Sequence, residues 1–107
     1  MGEQTNVIQR FRDLRCYPID GMYFYRLRDV FDALGMSTAE STRKRASARI
    51  GSVHKRYLWQ KKRTRSGKLY AEKRFCYIDR TGVESLVLRY GGCVPRWKLM
   101  AALPEMP

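Results

Sequence analysis

The sequence predicts a small α+β domain, and three observations carry that expectation. Two segments have the i, i+3, i+4, i+7 apolar spacing of amphipathic helices: Leu27, Val30, Phe31 and Leu34, then Val83, Leu86, Val87 and Tyr90. Other segments alternate in the manner of strands around the turn dipeptides Asp20-Gly21 and Ser66-Gly67. A chain of 107 residues with 44% hydrophobic content also suffices for one core without covalent staples.

Residues 1–6 read as a flexible N-terminus, 7–103 as one domain and 104–107 as a flexible tail. Residues 7–14 and 16–19 are short mixed stretches. With the Asp20-Gly21 turn and Met22-Tyr23-Phe24-Tyr25 they read as strand, turn and strand, an N-terminal β-hairpin. The first amphipathic helix follows and stops at Gly35; Arg26, Arg28, Asp29 and Asp32 fall on its other face, expected in solvent with local pairing. Ser37 and Glu40 have capping-box spacing, so a second helix is expected over about 38–50, ending before Gly51. It has only a thin apolar stripe of Ala39, Ala46 and Ile50, while Ser41, Thr42, Ser47 and Ala48 are small enough for close approach to a ligand.

From residue 55 the pattern turns to strands. Tyr57 and Trp59 alternate with polar neighbours, and after Ser66-Gly67 the pattern resumes with Phe75 and Tyr77 on one face. These features predict a basic, wing-like β-hairpin over about 55–78 with its tip near 65–68, the period-two aromatics being expected on the core face of the sheet. Thr81 and Glu84 repeat the capping-box spacing ahead of the second apolar stripe, which Gly91-Gly92 ends. Pro95 opens a short helix in which Trp97, Leu99, Met100 and Leu103 are expected to cover the core, a dimer contact through Trp97 and Met100 being the alternative.

The charge is distributed unevenly. Residues 43–74 hold thirteen cations (Arg43, Lys44, Arg45, Arg49, Lys55, Arg56, Lys61, Lys62, Arg63, Arg65, Lys68, Lys73 and Arg74) against one acid, Glu72; nine basic and nine acidic residues make up the rest. The whole formal charge of +12 therefore belongs to this window, a field that attracts a polyanion. Solvated faces usually mix both signs, and this one does not. The thirteen cations are the candidate nucleic-acid contacts.

Other chemistries find little material. Cys16, Cys76 and Cys93 are odd in number and have no metal-ligand spacing, so they read as reduced thiols packed as small hydrophobes in an intracellular protein. The single histidine, His54, lies in the basic window and is expected at a nucleic-acid contact or in solvent. Asp13, Asp20, Asp29, Asp32, Asp79 and Glu84 show no catalytic spacing, and no phosphate-binding loop or nucleophile triad appears. The expectation is a protein that is not an enzyme, with no catalytic residue, metal, cofactor or small-molecule substrate. Nor is there an apolar run for a membrane or a myristoylation signal after Met1-Gly2.

The order of motifs is also familiar. Asp20-Gly21, Tyr23-Phe24, Arg28-Asp29-Val30 and Ala33-Leu34-Gly35 resemble the opening of the Bro-N domain of large DNA viruses and phage antirepressors. Tyr77-Ile78-Asp79-Arg80-Thr81-Gly82-Val83-Glu84-Ser85-Leu86-Val87 is similar to that family's closing strand and helix. The resemblance spans about residues 7–90. It implies a non-catalytic α+β domain that binds DNA in transcriptional regulation or viral genome function, in the host nucleus for a eukaryotic or viral protein and in the cytoplasm for a phage or bacterial one. A weaker similarity to Ski/Sno/Dachshund domains, through residues 27–34 and 77–87, implies a protein–protein interaction module instead. The residues themselves favour double-stranded DNA held by a basic helix and hairpin, with a homodimer as an open question. The alternative is RNA or single-stranded nucleic acid stacked on exposed Tyr57, Trp59 or Tyr70.

Overall fold

The computed structural model describes residues 2–36, 39–63, 67 and 69–105, with side chains except at 2–5, 60–63 and 69–73. Five helices pack on one face of a four-stranded antiparallel sheet of order β1-β2-β4-β3. The α+β class is thus as the sequence predicts.

The chain begins with a helix, α1 (Gly2–Arg12), where a mixed, strand-like stretch was expected from residue 7. Phe11 and Leu14 anchor it in the core, and Arg10 Nε donates to the Ala33 carbonyl at 2.9 Å. Val7 and Ile8 also pack against the core, so Val7, Ile8, Phe11 and Leu14 form a short stripe of helical spacing that a strand-like reading passes over, and packing on the chain's distant end adds to it. The hairpin β1 (Cys16–Ile19) and β2 (Met22–Arg26) then turns at Asp20 and Gly21, with φ of 52° and 78°. Two consecutive left-handed residues match the twist of a tight hairpin, and Asp and Gly tolerate them best.

Helix α2 (Leu27–Ala33) buries Leu27, Val30 and Phe31 as its spacing demands. Helix α3 (Glu40–Ala48) has Ala39 at its N-cap position with no side-chain cap; Ser37 of the expected capping box lies outside the described residues. Ala46 and Ile50 are buried, but Ala39 is exposed because it precedes the first turn. A single 3₁₀ turn (Ser52–His54) leads into β3 (Lys55–Arg63), which pairs with β4 (Leu69–Asp79).

Helix α4 (Arg80–Tyr90) is capped by Asp79, whose Oδ1 accepts from the Gly82 N–H at 2.9 Å, and not by Thr81. Strand passes to helix without a loop, so the last strand residue becomes the cap. The helix ends at Gly91, where a Cβ would stand 2.6 Å from the Val87 carbonyl oxygen. Helix α5 (Arg96–Ala102) buries Leu99 and Met100, and Leu103 follows them into the core, which removes Met100 from any dimer contact. The tail, expected to be flexible, is fastened at its first two residues. Tyr25 Oη donates to the Pro104 carbonyl, and Arg80 reaches Glu105 at 3.3 Å and the Met100 carbonyl at 2.8 Å. Burial pushes the Tyr25 phenol up to about 12.

Candidate nucleic-acid interface

Strand β2 pairs with β4 only through Tyr77, Ile78 and Asp79. Beyond Tyr77, β3 and β4 continue as a two-stranded ribbon, with no third strand beside it among the described residues. Seven residues of β3 lie in that extension, roughly 20 Å of strand. The ribbon is the predicted basic hairpin; Gly67 lies at its tip, while Arg65 and Lys68 fall outside the described residues.

Directly paired residues share a sheet face. Tyr25, Ile78 and Cys76 face the helices, so Tyr57 (opposite Cys76) and Trp59 (opposite Arg74) point to the same side. The helices stop short of the ribbon, and these rings are therefore bare where the sequence pattern placed them in the core: Tyr57 is 46% and Trp59 59% exposed. The Arg74 guanidinium sits 4.4 Å over the Tyr57 ring. Burial raises the pKa of the Tyr57 phenol, and the neighbouring Cys76 thiol adds to the shift.

Helix α3 stands beside the foot of the ribbon. Its solvent face carries Lys44 and Arg45, with the small Ser41 one turn before them and Ala48 one turn after. Arg49 lies on its flank, in a groove shared with Arg89 of α4. Arg43 is different: it bonds Asp32 at 2.7 Å, lies 5.3 Å over the Phe31 ring and keeps only 17% of its side chain exposed. Its charge is matched inside the fold, where it clamps α3 onto α2. Arg56 is likewise engaged, donating to the Val53 and Lys55 carbonyls, lying 5.4 Å over Phe24 and approaching Asp20 at 3.6 Å. Lys55 is half-buried at the ribbon's foot. Lys61, Lys62, Arg63 and Lys73 are on the ribbon backbone, with side chains outside those described. The structure thus brings Lys44, Arg45 and Arg74 to the surface and turns Arg43 and Arg56 to structural use.

Between α2, α3 and β4 lies a cavity of about 600 Å³ floored by Leu27, Phe31, Phe75 and Cys76. Arg26, Arg28, Arg43 and Arg74 surround it, with Glu40 as the one acid. Arg26 and Arg28 were read from sequence as a solvated helix face. Arg26 instead stacks 4.4 Å over Phe75 and donates to Tyr77 Oη at 3.3 Å, while its buried Nε has no hydrogen-bond partner. Its hydrogen bond to the Tyr77 hydroxyl is the main cause of its raised pKa. No local pattern foretells this, because Arg26 and Phe75 meet only through the β2–β4 pairing.

His54 is neither solvent-borne nor poised over the ribbon. Its Nδ1 lies 2.9 Å from Oδ2 of the buried Asp79, so one carboxylate both caps α4 and holds the 3₁₀ turn that launches β3. Of the cysteines, Cys16 is buried and Cys76 half-buried, both pushed up by burial, whereas Cys93 is exposed and not packed as expected. Among the described residues no group of three or more His, Cys, Asp or Glu is placed to hold a metal, and no helix is long and apolar enough to cross a membrane.

No known protein family matches the chain, and no curated protein or solved structure does so either.

Proposed function

We propose that this chain is a non-catalytic nucleic-acid-binding module that holds duplex DNA between the exposed face of α3 and the β3–β4 ribbon. The observation that carries this reading is the placement of the charge. The window that contains the whole net charge of +12 folds into a helix and a projecting ribbon, adjacent to one another, while the charge-balanced remainder forms the core. The small Ser41 and Ala48 flank Lys44 and Arg45 along the helix, which lets it come close to a phosphate backbone. The ribbon, free of helices, can follow a groove or a strand. The Bro-N resemblance points the same way and supplies the setting, regulation of transcription or handling of a viral genome.

The test is a salt series on a random-sequence duplex with the Lys44→Ala/Arg45→Ala and Lys62→Ala/Arg63→Ala pairs. Each lost phosphate contact should flatten the slope of log K against log salt by about 0.9, so each pair should lower it by about 2, alike on all sequences. A slope unchanged in both pairs would remove α3 and the ribbon from the interface.

A further inference from the structure

Resting on that nucleic-acid reading, we infer that the Tyr57–Trp59 face of the ribbon takes unpaired bases, so that the preferred substrate is DNA with a short unpaired stretch flanked by duplex. Both rings are exposed, and they project from one face at alternate strand positions. Alternate residues of a strand stand about 6.8 Å apart, about twice the ~3.4 Å rise between stacked bases. One base therefore fits between the two rings, and a second can stack on the outer face of either.

Arg74 shows that such a partner is accepted. Its flat guanidinium already lies 4.4 Å over the Tyr57 ring, directly across from Trp59, where it also supplies a cation for the phosphate beside a stacked base. Arg74 and Cys76, on the same face as the two rings, also line the cavity of about 600 Å³ with its apolar floor and guanidinium rim, a size and lining suited to a planar, polar-edged ligand. A closed duplex offers these rings nothing to stack on without unstacking or breaking its base pairs. Bases that are already unpaired carry no such cost.

The experiment compares a 24-base-pair duplex with the same duplex carrying a central four-nucleotide bubble at about 150 mM salt, for the wild type, Trp59→Ala and Trp59→Phe. The wild type should bind the bubble at least ~10-fold more tightly. Trp59→Ala should lose about 5- to 150-fold on the bubble and under about twofold on the closed duplex, while Trp59→Phe, which keeps a ring, should retain most of the preference. In a Trp97→Phe background Trp59 is the sole tryptophan, and its emission should be quenched by the bubble and not by the closed duplex. Equal wild-type affinity for the two DNAs, or equal weakening of both by Trp59→Ala, would overturn the base-stacking site and leave duplex binding standing. Binding to neither DNA would overturn the nucleic-acid reading itself.

Discussion

Tyr25 and Tyr57 both stand on strands of one sheet and face the same side, yet one is buried and the other is nearly half in solvent. What differs is the cover. Under Tyr25 the five helices supply a continuous apolar layer, and its hydroxyl is bonded to the Pro104 carbonyl. Past Tyr77 the layer ends, and the same alternation of side chains continues into water. Residues outside the basic window thus do most of the folding with balanced charge, and among the window's described side chains Ala46 and Ile50 are the buried ones. An aromatic residue at period two marks a sheet face; whether that face is core depends on how far the helices reach.

Truncations on the two sides of this boundary should separate sharply. Leu99→Ala removes a fully buried side chain and should cost ~2–5 kcal/mol in a denaturant melt, whereas Trp59→Ala should stay within ~0.5 kcal/mol of the wild type. A comparable loss at Trp59 would mean that the ribbon is packed and not bare. Asp79→Ala strikes the joint between the regions. It deprives the Gly82 N–H of its acceptor and His54 of its partner, and should cost ~1–3 kcal/mol. Amide exchange should then quicken at the start of α4 and in the 3₁₀ turn before β3. Protection lost at α4 alone would show that the His54 contact does not hold the ribbon's foot.

Much of the scaffold was legible because local rules decide it. The left-handed Asp20-Gly21 turn, the Leu27, Val30 and Phe31 stripe and the positive-φ Gly67 each need only neighbouring residues. Some of the features that were not legible depend on partners far along the chain, while the stripe of α1 and the Asp79 cap are local and were passed over. Helix α1 is held by α5 from the other end of the chain, and Arg43 is diverted to Asp32 by the α2–α3 packing. Asp79 pre-empts Thr81 as a cap because the strand runs straight into the helix. For the interface, the sequence located the charge but not which cations the fold would consume, and it assigned Tyr57 and Trp59 to the wrong environment.

The most direct test of where this protein binds is a ¹⁵N-resolved titration with duplex DNA. Amide shifts should concentrate at residues 44–49 and along β3 and β4 beyond the third strand, with α1 and α5 unmoved. Shifts centred instead on α1, α5 and the 68% exposed Trp97, or no shifts at all at about 100 mM salt, would contradict the assignment of the binding surface to the basic window.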